Sequence, residues 1–578
     1  MNNRQIQQVF LDIADLLSIK GESRYRIIAY ERAAEAIAEL SRDLEDVHRE
    51  GELQNIPGVG EAIAAKIQEL LETGELEYLQ KLAEEVPLSL IEVLRVGNVG
   101  PKKAVLFWKE LGITTVPELE AAARTGSLAE LPGMGAKSQQ RVLEGIESLK
   151  RHQTDRILLG QALPASEEVL NRLRALPSVE KAESAGSLRR RRETVGDLDL
   201  LAASRNPGVV MEAFTGDEAV EQVLGQGETK ASIIRKDGLR MQLWVHLPER
   251  YGSALQYATG SKEHNVRMRE LAQKQGLSLS EHGFRKEDGE LILCENEESV
   301  YQELGLVWIP PELREDRGEV EAALHGELPD LIEIEQIKGD LHTHTDWSDG
   351  RATMGEMIEG AITRGRKYLA ITDHSRSLGV ANGLSIERLR EQRRAIDEMQ
   401  DHYGDRIHLL QGAEVEILSD GGLDFPDDVL AELDIVVASL HTSLRQPRQQ
   451  VTERLLSAVN NPHVDIIGHP SGRLLGRREA ADLDFEQVFS AAVKSGVALE
   501  INAHPDRLDL HDTHVRRAVE LGCRISINTD AHEPHGFDVL RFGIAVARRG
   551  WLTADPVLNT MDYGSLLSWL ESRGRAEA

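Results

Sequence analysis

The chain has 578 residues, a net charge of −30, 41% apolar and 28% charged residues, so it is too long for one core and reads as several ordinary water-compatible domains. No apolar run is long enough to span a bilayer, and the start MNNRQIQQVF lacks the pattern of a secretory signal, so a cytoplasmic protein without a membrane partner is expected. The charge excludes nonspecific coating of nucleic acid by the whole surface but not local basic grooves, and two cysteines, Cys294 and Cys523, build neither a disulfide framework nor a zinc motif.

From Ile6 to about Lys150 the apolar spacing predicts helices, with stops at Gly51, Gly74, Gly112 and Gly126. Three segments recur there: IPGVGEAIAAKI from Ile56, RVGNVGPKKAVLF from Arg95 and LPGMGAKSQQRVL from Leu131. Each reads as an apolar residue, a Gly-x-Gly type of turn and a helix, which presents backbone N–H groups to a phosphate. One such turn is more often a plain interhelical loop. Three copies resemble helix-hairpin-helix elements, which implies that Gly58, Gly60, Gly97, Gly100, Gly133 and Gly135 face the DNA backbone without reading sequence.

The middle of the chain holds AGSLRRRRETVGDLDLLAAS. If the last part is a strand, its period of two puts Asp197 and Asp199 on one face, where they repel each other unless a cation lies between them. A surface strand with two solvated acids is the bland alternative. The Gly-Ser pair and the arginines Arg189 to Arg192 form a candidate triphosphate cradle, although such a charge run is usually just solvated. Next comes GLRMQLWVHLPERYG, a strand that alternates Leu239, Met241, Leu243 and Val245 against Arg240, Gln242, Trp244 and His246, and then YATGSKEHNVRMREL.

The pattern GS-x-x-R-x-x-x-x-x-G-D-x-D followed by Y-x-T-G-S resembles the palm and thumb of a family X DNA polymerase. By that resemblance Ser187 and Arg190 hold the incoming triphosphate, Asp197 and Asp199 bind Mg²⁺ or Mn²⁺, and Tyr257, Gly260, Lys262, Asn265 and Arg269 line the nucleotide and template site. The family has a third aspartate where this chain has Gln242. An amide supplies no negative charge and cannot take the proton of a primer hydroxyl, so the expected polymerase chemistry is weakened. Lys66 falls where some relatives have a Schiff-base lysine, but Ala62 and Tyr78 replace basic helpers and Glu61, Glu69 and Glu72 surround it. A phosphate contact is therefore the expected role of Lys66, ahead of lyase chemistry.

Residues from Pro310 to about Ile337 are acidic and rich in Pro and Glu, which suits a linker or the exit from the thumb. After them, KGDLHTHT, KYLAITDHS, IHLLQGAEVE, IVVASLHTS, VDIIGHPSG, GVALEINAH and RISINTDAH each precede a helical stretch, the rhythm of a β/α barrel with seven units. Strand ends of such a barrel converge on one mouth, so His342, His344, His374, Glu414, His441, His469, Asp530 and His532 are expected to share a pocket with Asp349 from the first loop. Any single histidine could be a core residue; nine ligand-type residues at matching positions point to several metals, and imidazole with carboxylate suits Zn²⁺ or Mn²⁺.

These motifs resemble the PHP (polymerase and histidinol phosphatase) domain. The resemblance implies three metals: one on His342, His344, Glu414 and Asp530, a second on Glu414, His441 and His469, and a third on Asp349, His374 and His532. Close metals lower the pKa of a shared water and neutralise an attacked phosphate. Arg445 and Arg473 are candidates to hold that phosphate, with plain surface arginine as the commoner role.

The expected architecture is multidomain α+β and α/β: a helical DNA-binding domain at 1–85, helical fingers at 86–150, a nucleotidyltransferase palm with a mixed sheet at 151–250, a thumb at 251–318, a linker at 319–337 and a distorted seven-stranded β/α barrel at 338–578. The expected function is DNA repair by a bacterial form of the enzyme. It joins weakened gap filling to a 3′-5′ exonuclease or 3′-end phosphoesterase, with gapped or nicked DNA and deoxynucleoside triphosphates as partners and a monomer as the default. The alternatives are a DNA-end binding nuclease whose polymerase half no longer synthesises, and a small-molecule phosphatase of the histidinol phosphate type.

Overall fold

The computed structural model describes residues 3–38, 40, 44–56, 58–152 and 156–573. Contacts divide the chain once, into residues 1–155 and residues 156–578.

The first unit is helical throughout its described residues. In each repeat an apolar residue is buried (Ile56, Val96, Leu131) and its carbonyl accepts the N–H three residues on, from Val59, Val99 and Met134 at 3.0 Å. The residue just before that N–H is left-handed: Gly58 at φ 82°, Asn98 at φ 67° and Gly133 at φ 75°. The equivalent of Gly58 and Gly133 is thus Asn98, and the expected place of Gly97 in the turn is corrected by one residue. Asn tolerates this conformation through its short polar side chain. Gly97 serves packing instead, since a Cβ on Gly145 would lie 2.3 Å from its carbonyl oxygen. Gly60 and Gly100 are extended N-caps of the helices Glu61–Thr73 and Pro101–Leu111, and Gly135 precedes the helix Ala136–His152.

The second unit opens on a five-stranded mixed sheet of β1 (Lys181–Ser184), β2 (Leu198–Ala203), β3 (Val220–Gln226), β4 (Lys230–Arg235) and β5 (Arg240–His246). Its order is β1-β2-β5-β4-β3, with β2 and β5 parallel and the other pairs antiparallel. Met241, Leu243 and Val245 are buried, which sends Gln242 to the opposite face of β5. Register places Asp199 beside Gln242.

The following residues build a second core around Phe284, Tyr301, Leu304, Ile309 and Leu313. The segment expected to be a linker continues this core: it forms the helix Glu319–His325, with Val320 and Ala323 buried. Glu319 is fully buried and binds His264 Nδ1 at 2.7 Å. Composition misled here because the acids and arginines around this stretch are neutralised by partners elsewhere in the fold; Arg314, fully buried, donates to Glu297 at 2.6 and 3.2 Å and to the Ile309 carbonyl.

Seven parallel strands follow: β6 (Gly339–Asp340), β7 (Tyr368–Ile371), β8 (His408–Glu416), β9 (Ile435–Ser439), β10 (Ile466–Gly468), β11 (Ala498–Asn502) and β12 (Ile525–Asn528), each paired with the next. A bridge between Thr343 and Ala531 brings the last strand back to the first, so the barrel is nearly closed. Its strands are buried on both faces, as expected when helices cover a parallel sheet.

Buried charges tie barrel to palm and thumb. Arg549, 4% exposed, donates to Glu315 at 2.9 Å, to the Arg190 carbonyl at 2.8 Å and lies 2.8 Å from Asp512, which also binds Arg317. Arg473 donates to Glu193 at 2.7 Å. Asp512→Asn should remove a buried counter-charge shared by Arg317 and Arg549, at a cost of about 3–5 kcal/mol. Calorimetry should show the melting transition of the second unit lowered by several degrees; an unchanged transition would remove the network from the forces that join these parts.

Candidate metal centre and nucleotide site

In the barrel the nine expected residues do converge. Glu414, 2% exposed on β8, is ringed by imidazoles: its Oε2 lies 2.9 Å from His374 Nδ1, 3.4 Å from His342 Nε2 and 3.6 Å from His344 Nε2, and its Oε1 lies 2.9 Å from His469 Nε2 and 3.2 Å from His441 Nε2. Three groups of ligand atoms each fit within 4.8 Å: His344, Asp349, His374 and His532; His342, His344 and Asp530; His374, Glu414 and His441. The grouping differs from the expected partition in three places, the first being that Glu414 falls with His374 and His441 and not with His342, His344 and Asp530. His344 also joins the Asp349 group, and His374 takes the place of His469 beside His441, because His374 turns Nε2 to Asp349 and Nδ1 to Glu414.

Buried ring nitrogens test whether a cation fits. His342 Nε2, both nitrogens of His344, His374 Nδ1 and His469 Nδ1 are shut off from solvent with no hydrogen-bond partner among the described residues. Such atoms are costly unless a metal takes their lone pairs. Charge says the same. Burial opposes a charge on each group, yet Glu414 and Asp349 raise His374 to about 10, and Asp349 and Asp530 raise His532 to about 8. His344 falls to about 3 through burial and the neighbouring His532 and His374. Against burial, the imidazoles hold Glu414 and Asp530 well below the usual carboxylate range. Protons thus balance carboxylates that divalent ions would balance better.

A second ring of residues, absent from the expected set, orients the ligands. Glu500, buried on β11, accepts from His342 Nδ1 at 2.8 Å, and Glu416 on β8 accepts from His441 Nδ1 at 2.7 Å. Each carboxylate fixes the tautomer that aims Nε2 at the cluster. Asp373 takes Thr345, Ser348 and Gln392, and Asn502 donates to Asp530 at 3.0 Å. The signal was in the sequence: Glu416 stands two residues after Glu414, hence on the same face, and Glu500 is a lone acid in an apolar strand.

The palm site is less complete. Asp199 is raised to about 7, first by burial and then by Asp197, as two acids sharing one place require. Gly186, at φ 59°, lets the loop approach: a Cβ there would stand 2.7 Å from Asp199 Oδ2. Gln242 lies in the third place and its Nε2 donates to Asp197 Oδ2 at 2.7 Å. A donor therefore stands where a metal-binding acceptor is expected.

The arginine run is largely structural in this state. Arg189 makes two 2.7 Å bonds to Glu297, and Arg190 donates to Glu315 at 3.1 Å and to the Thr259 carbonyl at 2.5 Å. Ser187 is half-buried on the same loop. Tyr257 is 41% exposed, and its carbonyl accepts from Asn265, whose own carbonyl accepts from Arg269. Gly260 ends the helix Tyr251–Thr259, and the exposed Lys262 begins the helix Lys262–Lys274. These residues are gathered, but the guanidinium of Arg190 is engaged by the protein itself.

Of the remaining candidates, Arg445 is exposed, and Arg473 is committed to Glu193 and to the carbonyls of Arg507 and Leu508. Lys66 places its ammonium 4.9 Å over the Tyr78 ring and donates to the Ala62 carbonyl. Both cysteines are buried free thiols. Among the described residues no helix is long and apolar enough to cross a membrane.

Comparison with known proteins covers both halves. A helix-hairpin-helix domain model matches residues 1–76, a SAM-like helix-hairpin-helix tandem 90–148, a DNA polymerase beta thumb 254–315 and a PHP domain 340–504. The chain is 38% identical over 574 residues to a Bacillus subtilis (strain 168) protein named DNA polymerase/3′-5′ exonuclease PolX, covering 99% of this chain and 100% of that one. It is 25% identical to DNA polymerase lambda of Rattus norvegicus over 54% of this chain and 56% of that protein. A "Probable phosphatase" of Thermoanaerobacter sp. (strain X514) is 32% identical over 41% of this chain and 95% of its own length.

Metal ligation requires neutral imidazole, so loading the barrel should expel protons. His374 and His532, raised to about 10 and about 8, carry protons near neutrality. Release is therefore full below those values, falls as pH rises through about 8, and falls again towards about 10, while metal affinity climbs. Calorimetric titration with Mn²⁺ in buffers of different ionisation enthalpy should show this. Heat independent of buffer would contradict it.

Proposed function

Because this chain belongs to the bacterial family X DNA polymerases that carry a C-terminal PHP domain, we propose that it is a DNA repair enzyme of the cytoplasm whose stronger chemistry is 3′-end hydrolysis in the barrel. The observation that carries this reading is the contrast between the two sites. Glu414 stands among five imidazoles, four of which keep a buried ring nitrogen with no hydrogen-bond partner among the described residues, whereas Gln242 turns an amide N–H onto Asp197.

The substrate is gapped or nicked duplex with a damaged or unpaired 3′ end. The hairpin turns with Gly58, Gly60, Asn98, Gly100, Gly133 and Gly135 supply backbone amides for phosphates. Lys66 adds a phosphate contact and not a Schiff base. Three Zn²⁺ or Mn²⁺ ions on the nine barrel ligands would neutralise the scissile phosphate and lower the pKa of an attacking water. Glu500 and Glu416 keep His342 and His441 in the ligating tautomer. Asp349, exposed by a third, is the ligand nearest to solvent and to an entering 3′ end.

In the palm, Asp197 and Asp199 hold Mg²⁺ or Mn²⁺ with a nucleoside triphosphate, alongside Ser187, Tyr257, Gly260, Lys262, Asn265 and Arg269. Arg190 reaches the triphosphate only after leaving Glu315. With Gln242 present, no third carboxylate takes the proton of the primer hydroxyl, so synthesis is slow. A second reading, a palm that only clamps DNA ends for the barrel, is favoured by the same Gln242 contact. The chain is taken to act as a monomer.

One assay separates these. A gapped duplex is incubated with Mn²⁺ or Mg²⁺, with and without nucleotides, using wild type, His342→Ala and Gln242→Asp. Shortening should vanish in His342→Ala, and extension should rise roughly 10²-fold in Gln242→Asp, the scale of one electrostatic group at a reacting centre. Extension by wild type equal to that of Gln242→Asp would sink the weakened-palm reading. Shortening that survives His342→Ala, or hydrolysis confined to small phosphate esters, would sink the assignment of the nuclease to the barrel. No extension in either form would favour the clamp.

A further inference from the structure

Asp373 differs from the other carboxylates around the metal centre. Glu500 and Glu416 each accept from a ligand imidazole, whereas Asp373, 1% exposed, meets neither an imidazole nor a cationic partner among the described residues. Its donors are all neutral. Oδ1 accepts from Thr345 N–H at 2.8 Å and Ser348 Oγ at 2.5 Å, and Oδ2 from Thr345 Oγ at 2.7 Å and Gln392 Nε2 at 2.6 Å. A buried carboxylate without a counter-charge is costly, and these short bonds to the anion offset the cost.

Three of those bonds come from one loop, residues 345–350, which follows β6. There the N–H groups of Ser348 and Gly350 both donate to the Thr345 carbonyl, at 3.1 and 2.9 Å, and a Cβ on Gly350 would lie 2.5 Å from the carbonyl carbon of Thr345. The chain thus folds back around Thr345, and Asp373 closes the turn from the other side. Gln392, fully buried on the helix Ile386–Tyr403, supplies the remaining bond and holds Asp373 itself.

The same loop carries Asp349. That carboxylate, a third exposed, lies 3.3 Å from His532 Nε2, 3.5 Å from His374 Nε2 and 3.9 Å from His344 Nδ1. Besides the imidazoles, among the described residues it meets Ser348 Oγ at 3.3 Å, and that hydroxyl is nearer to Asp373. No second carboxylate or amide orients Asp349 in the way that Asn502 orients Asp530. Its place is set by the backbone that bears it, and that backbone is bound to Asp373.

We propose that Asp373 is a positioning residue: it holds the loop 345–350 and thereby sets the affinity of the solvent-facing ion of Asp349, His374 and His532, while the two inner ions depend on Glu500 and Glu416. This rests on the metal-centre reading above. Two other roles are separable from it. Asp373 could act by charge alone, as a buried anion that draws cations to the mouth, or it could support the whole barrel. Asparagine distinguishes position from charge. It is uncharged but keeps one accepting oxygen, and the Thr345 hydroxyl and the Gln392 amide can each turn to accept from its NH₂.

The test uses the full chain as wild type, Asp373→Ala and Asp373→Asn. Hydrogen exchange of the 345–350 amides is read on the metal-free protein, the number and affinity of bound Mn²⁺ ions by calorimetric titration, and hydrolysis of a single-stranded oligonucleotide over a range of Mn²⁺ concentrations. Asp373→Ala should speed exchange in the loop and leave the other strand ends as they are. It should weaken the last Mn²⁺ to bind by about 10- to 100-fold, the scale of a partner behind a metal ligand, with the first two ions within about threefold of wild type. Hydrolysis by this variant should return as Mn²⁺ is raised, and Asp373→Asn should keep the loop protected and recover most of the lost affinity. Equal losses in the two variants would assign the effect to charge and overturn the proposal. Equal weakening of all three ions, or a loosened loop with the last ion still bound as tightly, overturns it as well. Wild type that binds fewer than three Mn²⁺ ions overturns the three-ion reading first and this proposal with it, a result seen without either variant.

Discussion

The carboxylate of Glu414 is the constraint around which the barrel is arranged. One buried anion faces five imidazoles from four different strand ends, and no arrangement of protons satisfies all of them at once. His342 and His374 are pulled towards the charged form while His344 and His469 are pushed from it. Such opposed shifts in contact distance mark a site whose charges were selected for something other than stability. The surrounding shell is rigid for the same reason. Glu500, Glu416 and Asn502 each fix a side chain of the inner set, so these ligand positions do not depend on the ions to create them.

The palm shows what happens when one member of a comparable set is exchanged. Asp197 and Asp199 still lie side by side, and burial together with Asp197 holds Asp199 at about 7. Gln242 relieves that repulsion with an N–H to Asp197. The exchange stabilises the protein without a cation and subtracts one of the charges that would attract it. Relief of strain and loss of chemistry come from the same atom.

Between these sites lies a run of buried ion pairs. Arg190 meets Glu315, Glu315 meets Arg549, and Arg549 meets Asp512, all at most 13% exposed. Removing any single partner is expensive because a buried charge remains. The loop that carries Ser187 and Arg190 is thereby anchored to the thumb exit and to the barrel helix Leu540–Arg549, and its arginines do structural work before they meet any nucleotide.

Much of this was legible in the sequence, and the limits were physical. The period of two in GDLDLL and in RMQLWVH led to Asp199 and Gln242 as neighbours on one face, while Asp197, one residue before β2, joins them through its bond from Gln242. Seven apolar runs ending in His, Asp or Glu indicated a barrel mouth, and the nearly closed barrel has them there. Composition failed for 319–337, where Glu319 is a buried charge rather than a solvated one. Spacing alone also misplaced Gly97, since a left-handed Asn98 replaces the usual glycine.

What the sequence determined by itself was local: which residues share a strand face, where helices start, and which side chains are capable of holding a metal. Tertiary structure alone decided which of them meet. That His374 stands with Glu414 and His441 as well as with Asp349, and that Arg190 and Arg473 are occupied by Glu315 and Glu193, depend on partners up to 280 residues away. Periodicity fixes directions along one element. Distances between elements follow only from how they pack.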